Sequence, residues 1–308
     1  MTQVRQIVYI MARGHSGSTA LDIVLGNAPD HESVGELISG IALYPDHEVA
    51  TGVPMPECPY WTEVRERFEQ KTGEPFEAAA REMAEASHIR NFQEFLTAPK
   101  DDPRCLRLRD LNRAMFAAIA ETSGKSIIVD STKEFTRGLL MARFMPEARI
   151  IHLVRDPVGI VASHAWRYEK GEGFKFMRRK YSRPELKVPV LLLAGVAWNV
   201  GNTLGQIVAA LAPGRVYRVR YEDWCEDPAT VLEGIAEWLG EDFGDLPERV
   251  AAGEALEIGH NIGGNRIRMK KEFRFNPKAG TDRPTGPVFS TVRALTLPLR
   301  AAYGYLRA

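Results

Sequence analysis

The sequence predicts an α/β protein, a single domain with a central parallel sheet flanked by helices, and three observations predict it. Ile7-Val8-Tyr9-Ile10-Met11-Ala12, Ser126-Ile127-Ile128-Val129-Asp130 and Arg149-Ile150-Ile151-His152-Leu153-Val154 are short runs rich in β-branched residues, without the alternation of a half-exposed strand. Strands apolar on both faces belong in a sheet covered on both sides. Each run is followed by a helical pattern. Strand and helix in alternation imply right-handed crossovers and parallel strands.

The elements follow in order. The first run ends at a glycine-bearing loop, and residues 19–26 read as a helix. A helix is predicted over 134–144 after the second run. After the third run a helix opens at Pro157, because Asp156 is a good N-cap and proline a good first helical residue. A fourth strand is predicted over 215–221. The helix over 228–239 carries apolar residues at Val231, Leu232, Ile235, Trp238 and Leu239. Between 31 and 124 the pattern changes. Prolines and charges cluster at 44–60, and polar helical stretches follow at 77–88 and 111–120, so this region reads as a helical insertion beside the sheet. Residues 170–187 hold Gly171, Gly173, Lys175, Arg178, Arg179, Lys180 and Arg183, the composition of a mobile basic loop. The apolar stretch 188–200 includes Pro189, Gly195 and Asn199 and is shorter than the ~20 residues of a membrane-spanning helix, so a buried helix is expected.

Composition narrows the function. Forty basic residues balance forty acidic ones among 308, so the chain lacks the one-sign field of a nucleic-acid or membrane-surface binder, and any anion site must be local. Cys58, Cys105 and Cys225 have neither CxxC nor zinc-ligand spacing and are expected to be reduced thiols. The apolar run at 7–12 is too short for the core of a signal peptide, which adds to the expectation of a cytoplasmic protein.

Two segments carry chemistry. Arg13-Gly14-His15-Ser16-Gly17-Ser18-Thr19 lies between a buried strand and a helix. Glycines allow a tight turn, amides at a helix start point at an anion, and three hydroxyls add donors. Such a loop can also be a mere turn, but an arginine, a histidine and three hydroxyls in seven residues favour a phosphate or sulfate cradle. No Gly-Lys pair closes it, so the Walker A signature is absent. Gly124-Lys125-Ser126 leads into a strand and is a decoy. The second segment, Val154-Arg155-Asp156-Pro157, places Arg155 at the carboxyl end of a strand, with Ser163 about two turns into the helix. Alone, it is equally a capped helix start with a surface arginine. A second anion loop on the same sheet favours binding.

Together these segments resemble the sulfotransferases that use 3′-phosphoadenosine 5′-phosphosulfate (PAPS). The resemblance implies their P-loop-like fold, with Ser16, Gly17, Ser18 and Thr19 on the 5′-phosphosulfate and Arg155 and Ser163 on the 3′-phosphate. Val129-Asp130-Ser131-Thr132-Lys133, Trp198 with Asn202, Arg220-Tyr221-Glu222-Asp223, and His260 with Gly264-Asn265-Arg266-Ile267-Arg268 fit the bacterial branch. The last of these implies a closing loop that uses Gly264, Asn265, Arg266 and Arg268. One departure stands out: His15 occupies the place of a usual Lys or Arg. Either His15 is protonated beside the anion or Arg13 reaches in.

The resemblance implies transfer of a sulfuryl group from PAPS to an acceptor hydroxyl, with PAP as product and no metal. The protein then aligns the partners and stabilises spreading charge. Arg13, Gly14 and His15 would meet that charge. Glu36 is the first choice for the general base, and Lys133 could stabilise the bridging oxygen or form an ion pair with Asp130. The acceptor, whether small molecule, carbohydrate or lipid, would sit against the 31–124 region and the 170–187 loop. A small-molecule kinase and a non-catalytic PAP-binding module are the alternatives. No nucleic-acid partner is expected, and the sequence does not determine the oligomeric state.

Overall fold

The computed structural model describes residues 2–43, 46–170, 183–277 and 284–306. Five strands, β1 (Gln6–Ala12), β2 (His31–Ser33), β3 (Ile127–Lys133), β4 (Ala148–Val154) and β5 (Val216–Arg220), form one parallel sheet in the order β2-β3-β1-β4-β5. In the central strand β1, Val8 lies opposite Val129 on one side and Arg149 on the other. From β1 the chain passes to the edge strand β2, returns through β3 beside β1, then crosses to the other side for β4 and β5. The reversal lies between β1 and β4, and open α/β sheets bind ligands outside the carboxyl ends of strands at such a point.

The helices in chain order are α1 (Ser18–Leu25), α2 (Leu37–Leu43), α3 (Pro59–Thr72), α4 (Phe76–Ala86), α5 (Phe92–Thr97), α6 (Pro103–Ser123) and α7 (Phe135–Phe144). Then come α8 (Pro157–Lys170), α9 (Lys187–Leu211), α10 (Tyr221–Glu226), α11 (Pro228–Leu239), α12 (Leu246–Ala251), α13 (Pro287–Leu295) and α14 (Leu297–Ala302). The period of two along each strand divides the core. Tyr9, Met11, Ile128 and Ile150 face the layer that includes α2–α7, whereas Val8, Ile10, Val129, Ile151 and Leu153 face α1 and α10–α12. These strand residues are all fully buried or nearly so. Each such side chain contributes about 1.5–3 kcal/mol, which is why the apolar runs hold the centre of the sheet.

Two expectations need correction. Residues 31–33 belong to the sheet as its edge strand, so the helical region starts only at Leu37. Its longest member, α6, is capped by Asp102, whose carboxylate accepts from the Cys105 amide at 2.8 Å, and it ends at Gly124 with φ 74°. The apolar stretch after Lys187 is the start of a 25-residue helix, long and apolar enough by length and composition to cross a bilayer, and only a third of its most apolar window is buried. Pro189 does not stop it, because it lies in the first turn, where an amide has no partner to lose. The inner face is fastened to the sheet: Trp198 Nε1 donates to the Arg155 carbonyl at 2.8 Å, and Asn202 Oδ1 lies 3.1 Å from His152 Nε2. The basic loop expected at 170–187 falls largely on residues 171–182, outside the described residues.

Candidate active site

The loop between β1 and α1 turns through two left-handed residues, His15 (φ 71°) and Gly17 (φ 88°). At Gly17 a side chain is excluded twice over, by the backbone and because a Cβ would stand 2.6 Å from Tyr221 Cε2. The first turn of α1 closes by bonds from the Ala20 and Leu21 amides to the Gly17 carbonyl. The amides before them have no intrahelical acceptor and form the donor end of the helix. Ser18 and Thr19 are buried at the floor of the loop, and Ser16 Oγ, also buried, has no hydrogen-bond partner in the protein.

At the end of β4, across the sheet reversal, Arg155 is buried, not a surface arginine. Its Nη1 donates to the His15 carbonyl at 2.7 Å, and its guanidinium carbon lies 4.4 Å from the centre of the Tyr221 ring. Asp156 caps α8, accepting from the Val158 amide at 2.8 Å, while its other oxygen accepts from Arg300 at 3.0 Å. The Asp156 amide donates to Glu222, and Tyr305 Oη donates to the same carboxylate, each at 2.9 Å. The turn carrying Arg155 is thus held from four elements.

Ser163 Oγ lies 3.0 Å from His15 Nδ1, so the two sequence-predicted anion segments meet through side chains as well as backbone. His15 packs edge-on to His164 at 4.4 Å. Burial, and then the positive groups around it, His164 and Arg167 first among them, push the His15 imidazolium down to about 2. Burial thus favours the neutral ring in the protein on its own. Arg13 does not replace it. Its side chain packs over Gly201 of α9, where a Cβ would lie 2.6 Å from Arg13 Cδ, and it is not part of the cavity wall.

The charge comes from elsewhere. A cavity of about 630 Å³ opens between the two loops and the segment 263–276. Among the described residues its wall carries six cationic side chains, Lys133, Arg155, Arg167, Arg268, Lys270 and Arg274, and one carboxylate, Glu36. In a chain of net charge zero this is a strong local excess. Glu36 and Lys133 form an ion pair, and Lys133 adopts a left-handed backbone (φ 77°). The ion pair of Lys133 with Asp130, one of the two alternatives the sequence left open, does not form. Asp130 is fully buried, where it accepts from Arg137 Nε at 3.2 Å and Nη2 at 2.9 Å and from the Thr132 amide at 2.8 Å, which makes it a structural group.

The segment after Asn261 closes the other side. Asn265 donates its amide to Thr19 Oγ1 at 3.2 Å, and its side chain caps the Ile267 amide at 3.1 Å. Gly264 permits this approach, since a Cβ there would lie 2.9 Å from Thr19 Oγ1 and 3.2 Å from Glu36 Oε1. Arg268 is buried and donates to the Glu48 carbonyl at 2.8 Å, leaving its Nε without a protein partner. Arg266, predicted to reach the ligand, is exposed and lies outside the cavity wall. Of the 31–124 region, Glu36 and His47 reach the cavity. Phe273, Phe275 and Tyr221 also line it, and sequence reasoning assigned none of them a role. The spacing of Phe273 and Phe275, two apart on an extended segment, is the signal that could have found two of them.

Comparison with known proteins decides the family. The model of the sulfotransferase family matches residues 8–245. The chain belongs to the sulfotransferase family. Both anion segments, Glu36 and Lys133 lie inside the matched span of this sulfotransferase. Among solved structures it is similar to the sulfotransferase domain of the olefin synthase of Synechococcus PCC 7002 (16% identity, 97% of this chain and 96% of that one, TM-score 0.50). It is also similar to the sulfotransferase STF9 of Mycobacterium avium (14% identity, 98% and 77%, TM-score 0.52). At such identities these likenesses speak for the fold, a P-loop-like sulfotransferase fold with one parallel sheet between helices. No curated protein matches the chain in sequence.

Proposed function

We propose that this sulfotransferase moves a sulfuryl group from PAPS to a hydroxyl of an acceptor. The observation that carries the reading is the cavity wall of six cations and one carboxylate at the sheet reversal, fitted to a ligand that bears several phosphate and sulfate charges at two ends. The residues fit such a donor. The α1 amides, Ser18 and Thr19 form one anion site, and Arg155 with Ser163 forms another on the neighbouring strand. Ser16 Oγ and Arg268 Nε are buried donors that have no partner within the protein. Phe273 and Ile267 offer apolar wall for a purine, and Phe275 is backed by Trp224, their ring centres 4.5 Å apart.

When bound, PAPS supplies a sulfuryl group attached to a phosphate oxygen that leaves as part of PAP. The protein orients the acceptor and takes up its proton. Glu36 is the carboxylate within the cavity wall, beside the phosphate loop, and its Oε1 accepts the proton of the acceptor hydroxyl. Lys133 holds that carboxylate and faces the same space, where its charge offsets the negative charge that builds during transfer. His15, neutral, acts through its hydrogen bond to Ser163 and its carbonyl on Arg155, as a positioning group.

Two measurements test the reading. PAP stabilises the protein to heat, because a ligand that binds the native state alone shifts the unfolding equilibrium. With radiolabelled PAPS, label moves to at least one member of a panel of hydroxylated small molecules, sugars and lipids. A melting curve unmoved by excess PAP overturns the assignment, whereas PAP binding without transfer to any acceptor favours a binding module.

A further inference from the structure

We propose that the protein is a twofold-symmetric homodimer formed through the outer face of α9. This rests on none of the chemistry above. Between Val188 and Leu211 the helix contains no charged residue, and amide or hydroxyl side chains only at Asn199, Asn202, Thr203 and Gln206. One stripe, including Trp198 and Asn202, is buried in the chain's own fold. On the opposite stripe Leu193, Val196 and Val200 stand between 42% and 63% exposed. Their spacing of three and then four residues is that of a helix seam that packs against another helix, and it continues to the exposed Thr203 before Ile207 turns onto the chain's own core.

The patch extends onto neighbouring elements. Asn199 Nδ2 donates to the Leu295 carbonyl at 2.7 Å, which brings the junction of α13 and α14 alongside the stripe. There Leu295 and Leu297 are about as exposed as Val200. Side chains of this size at these exposures amount to roughly 450 Å² of apolar surface, within the ~300–600 Å² of the largest patches on monomers, which are often functional. Two copies face to face would bury roughly 900 Å² from these five residues alone. With the rim of the patch this reaches the ~1,000 Å² floor of specific interfaces.

A second copy fits better than any other occupant. In a twofold interface the same patch meets itself, so it must be free of like charges, and this one carries none. A helix lying on a membrane surface flanks its apolar face with Lys and Arg, and on α9 the only such residue is Lys187 at the very start.

Sedimentation velocity of the full chain across micromolar to submillimolar concentrations tests the proposal. The expected species has twice the 34.4 kDa chain mass. Leu193→Lys and Val196→Glu each place a charge at the seam and are expected to weaken self-association about a hundredfold, with circular dichroism and melting unchanged. Should either variant fail to fold, Val200→Cys gives an independent reading. The native cysteines are all buried, so the new thiol is the reactive one, and a flexible bismaleimide yields a covalent dimer. A wild type that stays monomeric, a dimer indifferent to both charge variants, no cross-link at Val200→Cys, or wild type that sediments with phosphatidylcholine–phosphatidylglycerol vesicles in place of dimerising overturns it.

Discussion

Glu36 and Lys133 are joined as an ion pair across the mouth of the phosphate loop, each delivered by a turn in left-handed backbone: Gly35 at φ 75° before the acid, and Lys133 itself at φ 77°. Left-handed backbone at a residue with a side chain carries a conformational cost and persists where the surroundings hold it. Here β3 on one side and the bond from the Glu36 amide to the Ile262 carbonyl on the other do so.

Glu36→Gln keeps the shape and the hydrogen-bond acceptor but does not take a proton as a carboxylate does. Turnover is expected to fall about 10²–10⁴-fold while PAP affinity changes little. Glu32 is no neutral comparison, because burial pushes its carboxyl up and it interacts with Tyr60. The exposed Glu66→Gln serves instead and should match wild type in single-turnover transfer. Normal turnover in Glu36→Gln would remove the carboxylate from the chemistry.

Arg155→Ala is expected to weaken PAP binding roughly 10–100-fold by calorimetry, the effect of losing charge-assisted bonds to a phosphate. Arg155→Lys should fall between, since an ammonium lacks the planar fork that here spans the His15 carbonyl and the Tyr221 face. Equal affinities for all three proteins would place the nucleotide elsewhere.

Because burial holds His15 neutral well below neutrality, transfer is expected to show no inflection from this residue between pH 6 and 8. His15→Ala should lower the rate by a similar factor at every pH, through loss of the bond to Ser163. A rate loss confined to low pH would mean that the imidazolium is the active form.

Stability should peak near pH 6.5. Burial pushes the Asp22 carboxyl up to about 8 from 3.8, against the opposing hydrogen bond from Ser33, and the negative charge of Asp130 adds to the rise. The folded state then holds a proton that the unfolded state releases, so stability falls as pH climbs from about 4 to 8, by up to about 1.4 kcal/mol per pH unit. Burial lowers His15 to about 2 and His152 to about 3, so below 6.5 the unfolded state takes up protons first and stability falls with acid. Of these three groups, the two histidines outweigh Asp22 below 6.5, and Asp22 sets the slope above it. Melting temperatures of Asp22→Asn should be flatter than wild type on the alkaline side. Parallel curves there would show that Asp22 is ionised in the fold.

The parts of the fold legible in the sequence are those set by local pattern. The run 7–12, the loop with Gly17 and the Asp156–Pro157 helix start announce themselves by period, turn chemistry and capping. β2 does not, since His31-Glu32-Ser33 is three mostly polar residues that become a strand only by pairing with β3. Partner choice is equally invisible along the chain. Lys133 could meet Asp130 three residues away, yet the β3 backbone sends one side chain to Glu36 and leaves the other to Arg137. The cavity's charge was legible in the sequence at Lys133, Arg155 and Arg268 and hidden elsewhere for the same reason. Arg13 stands in the loop but packs on α9, whereas Arg274, far away in sequence, lines the cavity.

The anchoring of Asp156 by Arg300, and of its partner Glu222 by Tyr305, has a consequence for synthesis. The loop at 13–19 leaves the ribosome about 285 positions before the residues that brace the Arg155 turn. Contacts of such long sequence separation form late and slowly. A nascent chain therefore carries the loop at 13–19 through the synthesis of those positions without its finished partner, and the site is assembled only when folding is nearly complete.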